Sequence, residues 1–312
     1  MKLNKIIRII FLLLFVALLL PAQDQRLVKT KVADVLALLP AADNQQAARL
    51  FQETINLGEA GLQLLTDGVQ PNGVPQGIPF RYAVSLLTHY STTSEEKAKI
   101  ERAYLAALNK ATNTEVKAYF MDNLKLIGSN ESVISLKAYI NDVELFDPAV
   151  SALVSIGTED ARKAISDGLT NNQNVGAQVK LIKALGRLKY QPALEALTKL
   201  ASSENPVLKK QALWAVALFG DARSYPVLLQ QAKNVSFKND LTEATTALVE
   251  YLHQVTTKGN TALVKEISKA LLDNTNDPSQ QIFRLAGLKG MAIVDAEGSV
   301  ATLIKERSRF DE

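Results

Sequence analysis

Four times between residues 114 and 232 the chain follows the same short plan. With Gly220 as position zero, Phe219, Val216 and Leu213 fall at −1, −4 and −7, one face of a helix. Leu228 at +8 opens the inward face of a second helix. The window on Gly186 carries Leu185, Ile182, Val179 and Leu194 at these offsets, and the window on Gly157 carries Ile156, Leu153, Val150 and Ile165. Around Gly128 they are Ile127, Leu124, Met121 and Leu136. All sixteen anchors are apolar in a chain that is 47% hydrophobic, so position rather than composition selects them. Glycine at zero is expected to end each first helix in the left-handed conformation that other residues resist.

Looser turns extend the plan. Thr256 sits at zero with Val255, Leu252, Val249 and Val264, and Asp295 with Val294, Met291, Leu288 and Leu303. Ser91 matches on its left side through Tyr90, Leu87 and Val84, but Lys99 occupies +8. There the polar stretch STTSEEK is expected to delay the second helix until about Lys99 to Asn109. Successive zeros lie 37, 29, 29, 34, 36 and 39 residues apart. A single short pair cannot bury its apolar face, whereas stacked pairs bury it against one another. The expected fold is therefore all-α, an α-solenoid (superhelix) of about seven helix pairs over residues 80–312. The spacing also predicts helices over Asn239 to Lys258 and Asn260 to Asp273, and before the array over Val32 to Leu39, Gln45 to Asn56 and Glu59 to Thr66. The segment DGVQPNGVPQGIP (67–79) reads as a loop closing an N-terminal piece that begins at residue 23.

Residues 1–22 read differently. Lys2, Lys5 and Arg8 precede the unbroken apolar run Ile9 to Leu20, and Pro21-Ala22 offers a small residue for cleavage. That order is a secretory signal peptide, which places the expected protein in the periplasm or outside the cell. A membrane association is expected only if this segment stays uncut. Without those three cations the chain has 32 basic and 32 acidic residues. A neutral chain lacks the positive footprint of a nucleic-acid binder, so no nucleic-acid partner is expected. Cysteine is absent, which excludes disulfides, thiolate metal sites, a cysteine nucleophile and a lipidated cysteine.

The windows DPAVSALVSIGTEDARKAISDGL and NPVLKKQALWAVALFGDARSYPVLL share Asp or Asn followed by Pro before the first helix, alanine at tight contacts, Gly-Asp-Ala or a variant at the turn, and an aliphatic pair in the second helix. In these features the chain resembles HEAT-like repeats of the short, phycobilisome-lyase type. The stretches KVADVLALLPA, RYAV and EVKAYF further resemble the N-terminal region of exported Bacteroidetes proteins, in which such an array precedes a 3-keto-disaccharide hydrolase domain. The resemblance implies a non-catalytic interaction scaffold, or alternatively the accessory arm of a saccharide-degrading enzyme. The partner is then another protein or a C-terminal catalytic domain. No catalytic residue here matches that domain.

Chemistry-bearing patterns are sparse. His89 and His253 stand in different units without a ligand spacing and are expected to face solvent. Glu159-Asp160 and the group Asp142, Glu144 and Asp147 fall where helices begin, where carboxylates favour the positive end of the dipole. No metal, cofactor or catalytic residues are assigned. Position −6 is polar in six windows (Ser85, Asp122, Ser151, Lys180, Glu250 and Lys289) and is Trp214 in the seventh. This tryptophan is either a binding anchor or a cover over the groove between repeats. Tyr190, Tyr225 and Arg187 complete the candidate interaction edge.

Overall fold

The structure, a computed structural model, describes residues 27–310. The signal-peptide reading of residues 1–22 lies outside them. The described residues form helices and 3-10 turns with no strand. They divide into two compact units, one ending at Val116 and one beginning at Lys117, inside a single helix.

The first unit contains α1 (Val28–Ala37), α2 (Asn44–Ile55), α3 (Gly58–Asp67), α4 (Ile78–Tyr90), α5 (Ser94–Lys110) and the start of α6 (Thr114–Ile127). Val32, Leu65 and Ala83 bring α1, α3 and α4 together, with Leu36, Leu57 and Phe80 against them. Between α4 and α5 the buried Tyr104 hydroxyl donates to the carbonyl of Val84 at 2.7 Å. The stretch STTSEEK does not delay α5 as expected. Thr93 and Glu96 form a reciprocal capping box, and the helix begins at Ser94. The loop at 67–79 holds one 3-10 turn, Pro75–Gly77, and lies within this unit. Glu115 fastens it, accepting from the Asn72 amide at 2.7 Å and from Arg81 at 2.7 Å.

The second unit continues with α7 (Asn130–Leu136), α8 (Phe146–Ile156), α9 (Glu159–Asn171), α10 (Val175–Leu188), α11 (Leu194–Leu200) and α12 (Pro206–Phe219). It goes on through α13 (Tyr225–Asn234), α14 (Ala244–Thr257), α15 (Thr261–Asn274), α16 (Gln281–Val294) and α17 (Ala296–Phe310). Within pairs α8 packs on α9, α14 on α15 and α16 on α17. The second helices α9, α11, α13 and α15 pack on the first helix of the next pair, and from α8 onward each first helix packs against the first helix of the next pair. Of the sixteen anchors, Val179 and Ile156 are half-buried and the rest are buried. Complete burial of each aliphatic side chain contributes about 1.5–3 kcal/mol, which explains why two short helices persist together. Polar links recur at separations of 30 to 32 residues along the chain. Tyr190 reaches Glu159 at 2.9 Å, Arg223 reaches Gln191 at 3.3 Å, and Tyr251 reaches the Asp221 carbonyl at 2.9 Å.

The glycines at position zero do not all have the expected job. Gly157 and Gly220 take it, with φ of 60° and 52° at the helix C-termini. Gly186 lies inside α10, which runs on to Leu188, and Lys189 takes the left-handed cap with φ of 46°. A Cβ at Gly186 would sit 2.8 Å from the Ala215 Cα, so glycine there lets the α10 and α12 backbones approach. Gly128 follows α6 without a positive φ. A Cβ there would meet Ile156 Cδ1 at 2.9 Å, again a demand for space. Two further expectations fail at the end of the array. The helix predicted from Asn239 begins at Ala244, because the Asp240 side chain first organises a turn through Thr242. Leu303, expected inside, is 40% exposed.

Candidate interaction surface

The four residues expected to share an edge have separate surroundings. Trp214, on the third turn of α12, is half-buried, and its Nε1 donates to Glu243 Oε2 at 2.8 Å. The other oxygen of Glu243 accepts from Lys210 Nζ at 2.5 Å. The lysine and then the indole N–H hold the Glu243 carboxyl below the usual glutamate range. Glu243 itself precedes α14 with φ of 52°, a left-handed conformation that costs a side-chain-bearing residue free energy. That strained residue aims the carboxylate back across the seam between α12 and α14. Trp214 therefore covers this seam, and its polar atom is already engaged.

Tyr190 and Tyr225 face inward. Tyr190 is buried, and burial, then its bond to Glu159, raises its hydroxyl pKa. Tyr225 stacks on Tyr251 with ring centroids 6.4 Å apart, and burial, then nearby Glu266, pushes its pKa up to about 12. Of the four, only Arg187 is exposed. Beside the same turn, Arg223 and its own backbone amide hold Asp221 down to about 2, the guanidinium providing the larger effect. His89 and His253 are both exposed, as their positions on the helix faces suggested.

The next seam along, between α14 and α16, differs. Counted from Thr256, Glu243 just before α14 and Thr246 and Gln254 within it fall at −13, −10 and −2. Counted from Asp295, α16 carries Ile282, Leu285 and Ile293 at those offsets, and they are 68%, 53% and 57% exposed. With Val249 and Leu252 of α14 they line an open groove of about 310 Å³. Its only ionisable lining groups are His253 and Lys289, with no carboxylate among them. On α17 Val300 and Ile304 are also exposed, at 50% and 69%. Contiguous exposed aliphatic side chains of this kind mark sites of association. The sequence did carry the signal: three polar offsets of one repeat become aliphatic in the next.

Among the described residues no group of three or more His, Asp or Glu side chains is placed to hold a metal ion. A comparison with curated proteins gives no match. Residues 162–249, from within α9 into α14, match the family model described as HEAT repeats. The chain is thus an all-helical repeat protein whose stacked pairs are similar to HEAT repeats in that span.

Proposed function

We propose that this chain is a non-catalytic scaffold of the bacterial cell envelope that holds a partner protein along the seam between α14 and α16. The observation that carries this reading is the exposed aliphatic row Ile282, Leu285 and Ile293, in a repeat position that the preceding pair fills with polar groups. Burial of three such side chains at an interface removes them from water without any rearrangement of the array. The partner segment would present aliphatic side chains to the groove and a carboxylate to Lys289. Export rests on the N-terminal 22 residues, and intact-mass analysis of the mature protein tests it, the expected chain beginning at Gln23.

A photo-crosslinking residue introduced at Leu285 is expected to capture one defined protein in the native envelope, and Ile282→Glu should abolish that adduct. An adduct unchanged by Ile282→Glu would place the contact elsewhere. The resemblance of KVADVLALLPA, RYAV and EVKAYF to exported saccharide-active proteins supports a second reading, in which the partner is a 3-keto-disaccharide hydrolase-type domain. Hydrolysis of a keto-disaccharide by the purified chain alone would overturn the non-catalytic assignment.

A further inference from the structure

The first unit contains a deeper groove, of about 480 Å³, between α3 and α5. The C-terminal ends of these helices are tied by Lys110 to Asp67 at 2.7 Å, which closes one end of the groove. Eight residues earlier on each helix, about 12 Å along the axis at 1.5 Å per residue, stand Glu59 and Arg102. Both line the groove, one from each helix, and both are exposed. Among the described residues neither forms an ion pair or a side-chain hydrogen bond. The third cation of the α5 wall, Lys99, is engaged by Glu95 at 2.7 Å. The floor between the walls is Leu62 with Ala103, Ala106 and Ala107, where small side chains leave the space that longer ones would fill.

Three features then coincide: a volume in the range of about 300–1,000 Å³ that accepts small ligands, an apolar floor, and one unspent charge of each sign, one from each helix. A simple anion would meet Glu59 unfavourably, and a simple cation would meet Arg102. A ligand carrying both charges on an apolar body satisfies both walls. We infer that the α3–α5 groove binds a short aliphatic peptide with free termini, its ammonium on Glu59, its carboxylate on Arg102 and its side chains over the alanine floor. Such a role is independent of the seam in the second unit.

Isothermal titration of the full chain with leucyl-leucine, N-acetyl-leucyl-leucine and leucyl-leucinamide tests this. The free dipeptide is expected to bind, and blocking either end should weaken it about tenfold, as loss of one charge-assisted contact does. Glu59→Gln should remove the penalty for acetylation while keeping the penalty for amidation, and Arg102→Gln should do the reverse. Ala106→Leu, at an exposed position, should fill the groove and abolish binding with an unchanged thermal melt. No saturable binding, equal affinity for the three peptides, or normal binding by Ala106→Leu would each overturn the assignment.

Discussion

Two adjacent seams of the second unit each join the first helices of successive pairs and have opposite surface chemistry. Between α12 and α14, Glu243 spans the gap to Trp214 and Lys210 at 2.8 and 2.5 Å. Between α14 and α16, the corresponding position is Ile282, which spans nothing and is 68% exposed. The first seam has directional polar contacts that satisfy it, so it offers little to a partner. The second leaves aliphatic surface in water, a cost that association relieves. The difference teaches that in a stack of similar pairs recognition is written in departures from the repeat, and that a conspicuous aromatic residue need not be the departure that matters.

The comparison is broken most severely from behind α16. Arg284 makes a bidentate pair with the buried Glu306 of α17 at 2.6 and 2.7 Å and donates to the Leu272 carbonyl at 2.6 Å. Its partner and the neighbouring charges raise the Arg284 pKa, the Glu306 hydrogen bond most of all. Arg284→Met removes the cation from a carboxylate that is 3% exposed, and stability measured in urea should fall by about 3–5 kcal/mol. A fall below about 1 kcal/mol would mean that α16 is held by apolar contacts alone.

A smaller effect is expected at the closed seam. Glu243→Ala should cost about 1–2 kcal/mol, because the bridge is partly solvated, and should red-shift the emission of Trp214, the single tryptophan. Glu243→Gly should recover part of that loss by relieving the left-handed backbone while keeping the red shift. Since the Glu243 carboxyl is held below its ordinary 4.5, the bridge contributes fully above that value and is lost as pH falls through the lower, folded one. An acid titration of Trp214 emission with its midpoint at or above 4.5 would contradict the bridge. The smallest effect belongs to the open seam: Leu285→Gln should change stability by no more than about 0.5 kcal/mol, since the side chain is already 53% exposed. A larger loss in the isolated protein would show that the seam closes in solution.

Much of this was legible in the residues. Phe219, Val216 and Leu213 before Gly220, and Leu228 after it, mark the two faces that are buried. The capping box Thr93 to Glu96 was equally present in the sequence but was overshadowed by the polarity of STTSEEK. The role of Gly186 was not legible, because helix termination and close helix approach both select glycine, and only the position of Ala215 tells them apart. Tyr190 and Tyr225 occupy turns, where polarity suggests exposure, yet each is covered by a residue about thirty positions away, Glu159 or Tyr251.

By itself, then, the order of residues determined the helices, their pairing and the stack, because those depend on apolar spacing and caps within about twenty residues of chain. Only the tertiary structure decided which seams close and which remain open. Closure is made by side chains from successive pairs, such as Trp214 and Glu243, that meet only when the pairs are stacked. A polar or aliphatic residue at that position reads alike in sequence until its partner across the seam is known.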